Sequence, residues 1–341
     1  MKQNMKKWIL NLSNSIDRYA MPLMTYPGLE PANKTIMDIT NDGEAQFECI
    51  QALAEIYPSI GTVTVMDLSV EAEAFGSPVT FSDDEVPTVL SRIIYDRESA
   101  EALKVPKVGE KRTLAYIMAA ELASKKIKDR PVFGGEIGPF SLAGRLYGMM
   151  ETMVALLLEP ETVHIILEKA TSFLIEFAEA YKKVGANGII IAEPAAGLLS
   201  PGQCEEFSSQ YVKKIVDTVQ DDYFMVILHN CGNTRELIPS MLSTGAMGFH
   251  FGNAVDLKEI LPQIPWGKLV FGNIDPAGVF KNGSREDVKN ETWRLLENTA
   301  IYKNFIISSG CDIPPGTTTD NIEAFFETLD KFNLTFVRVT G

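Results

Sequence analysis

The sequence predicts an α/β chain folded as a (β/α)8 TIM barrel, with residues 1–341 forming a single domain that carries an N-terminal helical extension. Three observations predict it. Eight short apolar runs of strand character recur along the chain, and helical patterns separate most of them. The 341 residues are 45% hydrophobic, which suits one barrel-sized core better than two small ones. A doubly wound sheet is the alternative, but neither G-x-G-x-x-G nor G-x-x-x-x-G-K-[ST] occurs, so no dinucleotide or P-loop chemistry is signalled.

Met5, Trp8, Ile9, Leu12 and Ile16 recur at helical spacing and predict an amphipathic first helix. Lys2, Lys6 and Lys7 ahead of Trp8-Ile9-Leu10 imitate a signal peptide, but Asn11 breaks the apolar run. Strands are expected at Met21–Thr25, Thr62–Met66 and Pro131–Gly135, with a long, mainly helical insertion between the last two. A helix from Pro160 to about Val184 has Pro at its first position, Gly185 just beyond its end, and a Val163/Ile166/Leu167/Ala170/Phe173/Leu174/Phe177 stripe. Strand and helix then alternate. Gly188–Ala192, Phe224–Leu228, Met247–His250, Lys268–Gly272 and Asn304–Ser308 are the strands. Ser200-Pro201, Thr234, Asp256, Ser284-x-x-Asp287 and Asp320-x-x-Glu323 mark helix starts.

The net charge is −14, so the chain has no general attraction to nucleic acid or anionic lipid. No apolar stretch is long enough to span a membrane. Four cysteines without regular spacing do not suggest a disulfide framework, and a reducing, cytoplasmic setting is expected.

In such a barrel the residues that follow the strands gather at one rim, where chemistry takes place. Here they include Asp67, Glu136, Glu193, His229, Cys231, His250, Asn253, Asn273, Asp275 and Cys311. The chain has only three histidines and four cysteines, and His229, Cys231 and Cys311 all stand just past strand ends. A His-x-Cys pair plus a distant Cys suits a tetrahedral zinc site with one open position, and thiolates make such a site poor for magnesium or calcium. A thiol entering that position would lose its proton readily, and Glu193 is a candidate to fill it otherwise. The remaining soft residues have plainer readings. Cys49 and Cys204 read as packed, His164 as structural or surface, and His250 as structural or as a support for a neighbour. Asp67 could be a helix N-cap.

Several segments carry a resemblance. MPLMTYPG (21–28), MDLSVEAEAFG (66–76), IGPFSLAGRLYG (137–148), FGNIDPAGVF (271–280), HNCGN (229–233) and SSGCDIPPGT (308–317) are similar to segments of the uroporphyrinogen decarboxylase superfamily. Within it, the last two resemble the zinc motifs of methylcobamide:thiol methyltransferases. The resemblance covers nearly the whole chain. It implies a (β/α)8 barrel whose zinc, on His229, Cys231 and Cys311, binds a small thiol. The methylcobamide is then supplied by a small corrinoid-binding partner protein docking on the rim. Asp67 and Glu193 are the expected catalytic residues, and Asn253, Asn273 and Asp275 the expected cofactor-binding ones. A monomer or a homodimer is compatible with it.

The resemblance also implies an alternative, a uroporphyrinogen decarboxylase-like reaction at Asp67. The decarboxylases carry a methionine-arginine-glutamine-alanine-glycine-arginine run in the first strand. The matching run is Met24-Thr25-Tyr26-Pro27-Gly28-Leu29, with both arginines replaced, which favours methyl transfer. A third reading is a non-catalytic corrinoid- or thiol-binding barrel with a structural zinc. Coenzyme M, another thiol and a folate are all compatible acceptors. Arg145 and Arg235 are the candidates for holding an anionic acceptor.

Overall fold

The computed structural model describes residues 3–340, so Lys2 lies outside the described residues. Seven parallel strands form one sheet. They are β1 (Thr62–Val63), β2 (Val132–Ile137), β3 (Gly188–Ala192), β4 (Met225–Asn230), β5 (Gly248–Phe251), β6 (Leu269–Ile274) and β7 (Phe305–Ser309), and each pairs with the next in chain order. The sheet is curled like part of a TIM barrel. All of these strands lie within or across expected runs.

The eighth strand, expected at Met21–Thr25, does not form. Only a single parallel bridge joins Ala20 to Ile307. The Tyr19 carbonyl and the Met21 amide bond to Ile307 on one side, and Ile60 donates to Ala20 on the other. Pro22 has no amide to donate, and a 3₁₀ turn begins at Tyr26, so the ladder cannot extend. The arrangement is TIM-barrel-like, with this segment standing where the eighth strand was expected.

Parallel strands buried on both faces explain the near-continuous apolar runs. Alternate residues point opposite ways. Ile190, Ile227, Phe271 and Ile306 join Met21 and Leu23 in an inner cluster. The first helix, Met5–Asn14, adds Met5, Trp8, Ile9 and Leu12 to that cluster as its buried face. Ile16, expected on the same stripe, is beyond the helix end and exposed. Ile189, Ile191, Val226 and Leu228 point outward into the larger cluster shared with the helices.

The helix Pro160–Val184 has its expected start, and Gly185 caps it with φ 104°. All seven residues of its expected stripe are fully buried. Gly134 of β2 lets the helix in, since a Cβ there would sit 2.6 Å from the Tyr181 ring. Ser200 and Ser284 cap helices as expected, each in a reciprocal capping box. Thr234 makes no side-chain cap, and a 3₁₀ turn, Arg235–Leu237, leads from it into the expected short helix, Ile238–Ser243. The last helix, Thr319–Thr340, begins one residue before Asp320, and the Thr318 hydroxyl accepts from the Asn321 amide. The insertion between β1 and β2 is mainly helical but holds an unexpected antiparallel ribbon, Val79–Thr80 with Thr88–Val89. Among the described residues, no helix is long and apolar enough to cross a membrane.

Two outcomes follow from this packing. Gly134→Ala should lower thermal stability by about 1–3 kcal/mol through overpacking. Gly202→Ala, in a helix where an added Cβ meets nothing within 4 Å, is the control and should not lower the melting temperature. Glu71 is fully enclosed, and burial pushes its carboxyl up to about 7 although the Ile137 amide donates to it. A carboxyl with a folded pKa raised above its unfolded value of roughly 4.3 contributes stability below that value and loses it as pH rises through the folded one. The melting temperature should therefore fall between about pH 5 and 8, and Glu71→Gln should flatten that fall; an unaltered slope in the variant would count against this assignment.

Candidate metal centre

His229 occupies the penultimate position of β4. It stands two residues after Ile227, so strand alternation turns it into the barrel. Asn230 then shapes the loop. Its amide donates to the Glu193 carbonyl at 2.6 Å, and its side-chain oxygen accepts from the Gly232 amide at 2.8 Å. This holds Cys231 at the rim. Cys311 follows the end of β7. The loops meet closely because Gly252 and Gly310 lack side chains. A Cβ on Gly252 would lie 2.5 Å from Cys231 Cα, and one on Gly310 would lie 2.8 Å from the Asn253 amide.

The result is a convergence of three soft donors. The ligand atoms of His229, Cys231 and Cys311 all lie within 4.8 Å of one another, and among the described residues no carboxylate belongs to that group. Around a tetrahedral zinc, with bonds of about 2.0–2.3 Å, such atoms stand roughly 3.5–3.8 Å apart. Small side-chain rotations would close the difference, so this donor set fits zinc. His229 is buried, while the two sulfurs are partly open. The Cys311 hydrogen bond, with help from His229, holds the Cys231 thiol below the usual thiol range. Cys311 moves the other way, because it keeps the proton that it shares with Cys231 and because it is buried.

Behind the triad, His229 Nδ1 lies 2.8 Å from His250 Nδ1, and His250 Nε2 lies 3.0 Å from Ser308 Oγ. Burial holds His250 well below the usual imidazole range, and His229 adds to the effect. Periodicity alone left the role of His250 open; the parity of β5 against β4 is what places it here.

The other expected site residues have different surroundings. The Asp67 carboxylate is fully enclosed and pairs with Arg112, with the Tyr116 hydroxyl at 3.1 Å and the Ser69 amide at 2.8 Å. Arg112 also reaches Glu73 at 2.6 Å. The Glu193 carboxylate accepts from the Phe140 and Ser141 amides at the start of the helix Pro139–Tyr147, and burial pushes it up to about 7. Glu136 is buried with both oxygens unpartnered, and burial raises its pKa well above the carboxylate range. Asn253, Asn273 and Asp275 line one cavity of about 490 Å³, together with Arg294. Within it, Asn273 donates to the Gly252 and Val255 carbonyls, and Asp275 accepts from the Ala277 and Gly278 amides.

The plainer readings match their surroundings. Cys49 and Cys204 are buried in the core. His164 stacks on Phe207 and bonds to the Tyr211 hydroxyl. Arg235 is exposed and pairs with Glu259, whereas Arg145 is half-buried and lines a cavity of about 360 Å³ with Ser141 and Pro194.

Comparison with known proteins places this geometry in a family. The family model described as uroporphyrinogen decarboxylase (URO-D) matches residues 18–332. The methylcobamide:CoM methyltransferase MtbA of Methanosarcina acetivorans is 30% identical over 294 residues, covering 84% of this chain and 85% of that protein. A uroporphyrinogen decarboxylase of Prochlorococcus marinus (strain MIT 9515) is 31% identical over 312 residues, covering 89% and 88%. A solved methyltransferase from Methanosarcina mazei superposes with a TM-score of 0.86 at 21% identity, covering 96% of this chain and 99% of that one. On the match across residues 18–332 and these relatives, the chain belongs to the uroporphyrinogen decarboxylase family.

Proposed function

We propose that this chain is a zinc-dependent methyltransferase that passes a methyl group from a corrinoid, held by a small partner protein, to a small thiol. One observation carries the reading: a histidine and two cysteines from two distant segments converge within 4.8 Å at the rim, with no fourth donor in the group among the described residues. Zinc at such a site supplies Lewis acidity that lowers the pKa of a thiol in its open position. The protein's own residues do the rest. His229, Cys231 and Cys311 would hold the metal, and the loops that meet closely at Asn230 and Gly252 would align the acceptor. Overall, the acceptor thiol gives up its proton and forms the new sulfur–carbon bond as the methyl leaves its donor. Asn253, Asn273 and Asp275 are proposed to contact the corrinoid through the cavity that they line.

The relatives include both methyltransferases and decarboxylases. The surroundings of Asp67 favour the first activity. Its carboxylate is spent on Arg112, Ser69 and Tyr116 and has no exposed surface to offer a substrate. Asp67 and Glu193 are better suited to anchoring the rim than to touching substrate.

The reading expects about one zinc per chain in the purified protein. Cys231→Ser and Cys311→Ser should each lose the metal and the demethylation of methylcobalamin by a thiol, while circular dichroism shows the fold retained. A metal-replete wild type without zinc would sink it, and unfolding on metal removal would favour a structural site. Asp67→Asn separates the alternative. Breaking this buried ion pair should cost about 3–5 kcal/mol of stability but leave zinc binding intact. Decarboxylation of a porphyrinogen by the metal-free protein, abolished in Asp67→Asn, would reverse the assignment.

A further inference from the structure

His229 and His250 are register partners on β4 and β5. Their Nδ1 atoms lie 2.8 Å apart, and the rings meet at 78°. A hydrogen bond between two ring nitrogens needs one N–H and one lone pair, so two directions are open. The next link decides between them. Ser308 Oγ stands 3.0 Å from His250 Nε2 and donates to the Met21 carbonyl at 2.8 Å. A carbonyl can only accept, so the hydroxyl proton goes to Met21, and the Ser308 oxygen is left to accept from His250. His250 then carries its proton on Nε2 and turns the Nδ1 lone pair to His229. His229 must donate from Nδ1, which leaves its Nε2 lone pair free.

The opposite direction would require a doubly protonated His250 donating from both nitrogens. That ring has no exposed surface, and Phe271 stacks along it at 6.3 Å. Among the described residues no carboxylate pairs with it, and an unpaired buried cation is costly.

We propose that His250 and Ser308 are positioning residues that lock His229 in its Nδ1–H tautomer, so that Nε2 is the atom offered to the metal. The role of that free Nε2 rests on the proposed function; the tautomer itself does not. Metal-binding histidines almost always donate their second N–H to a carboxylate, a carbonyl or water. Here the acceptor is a second imidazole. It fixes the ring without adding negative charge beside two thiols, leaving the centre more receptive to an incoming thiolate.

The test reads tautomers directly. The chain has three histidines, so the ¹⁵N-histidine-labelled apoprotein gives three ring patterns in a long-range ¹H–¹⁵N spectrum at neutral pH, and His164→Gln identifies the third. His229 is expected with its proton on Nδ1 and His250 with its proton on Nε2. The opposite tautomer at either ring, or double protonation of His250, overturns the proposal. Zinc affinity by chelator competition is the second measurement. His250→Leu should weaken binding about 10–100-fold, whereas His250→Asn, which keeps an acceptor near the Nδ1 position, should recover most of it. Equal losses in both variants would mean that His250 only fills space. If the wild type binds no zinc, the proposed function fails, and the tautomers alone still decide this inference.

Discussion

The inner face of a parallel barrel admits every second residue of each strand, and whatever polar group lands there must find its partner within the barrel. This constraint organises the molecule around β4, β5 and β7. Ile227 and Ile306 fill the inner layer below, and two positions further along the same faces carry His229 and Ser308. Parallel register sets His250 beside His229, and the chain of bonds ends on the Met21 carbonyl. Met21 lies in the segment that forms no strand of its own. Its carbonyl is therefore free of a ladder partner and available to Ser308. The failure of the eighth strand and the orientation of His229 are thus linked by one oxygen atom.

A second set of buried polar groups fixes the rim. The Asp67–Arg112–Glu73 network ties the segment after β1 to the helix Thr113–Lys126. Glu193 crosses from the end of β3 to the first amides of the helix after β2, where carboxylates are favoured. Asn273 holds the loop after β5. Asp67 and Glu193 follow strands, as active-site residues would, yet their carboxylates are bonded to the scaffold, and the amide nitrogen of Asn273 within β6 is bonded to it as well. In this family position the same residue types can serve chemistry or architecture, and hydrogen-bond accounting separates the two uses. His229, Cys231 and Cys311 instead gather their donor atoms at one point, while Glu136 keeps both oxygens unpartnered outside that group.

Much of this was legible in the sequence. Seven of eight strands, the stripe of the helix Pro160–Val184 and the convergence of the three soft ligands follow from periodicity and from the rule that strand ends meet at one rim. What was not legible depends on partners remote in sequence. Nothing near Asp67 announces Arg112, which lies 45 residues away. Nothing near Glu193 announces the helix start 53 residues before it. The missing first strand was readable in principle, since Pro22 sits inside the apolar run. The ribbon at Val79 and Val89 was not, because its two-residue strands are too short to show a period.

Electrostatics separates the two activities represented among the relatives. A porphyrinogen polycarboxylate needs several cations turned toward the cavity, because each desolvated carboxylate must be paired. The positions where the decarboxylases carry arginines are Thr25 and Leu29 here. Thr25 is buried, and Leu29 packs against the core. Arg112 is already committed to two carboxylates. Arg145 faces the charges of Asp67 and Glu71, and Arg92, which lines the same cavity, pairs with Glu151. With a net charge of −14, the whole chain adds repulsion to that deficit. A small thiol makes no such demand. It needs one soft electrophilic centre and a dry, aligned approach, and the donors gathered at the rim are of the kind that would hold a metal able to act as that centre.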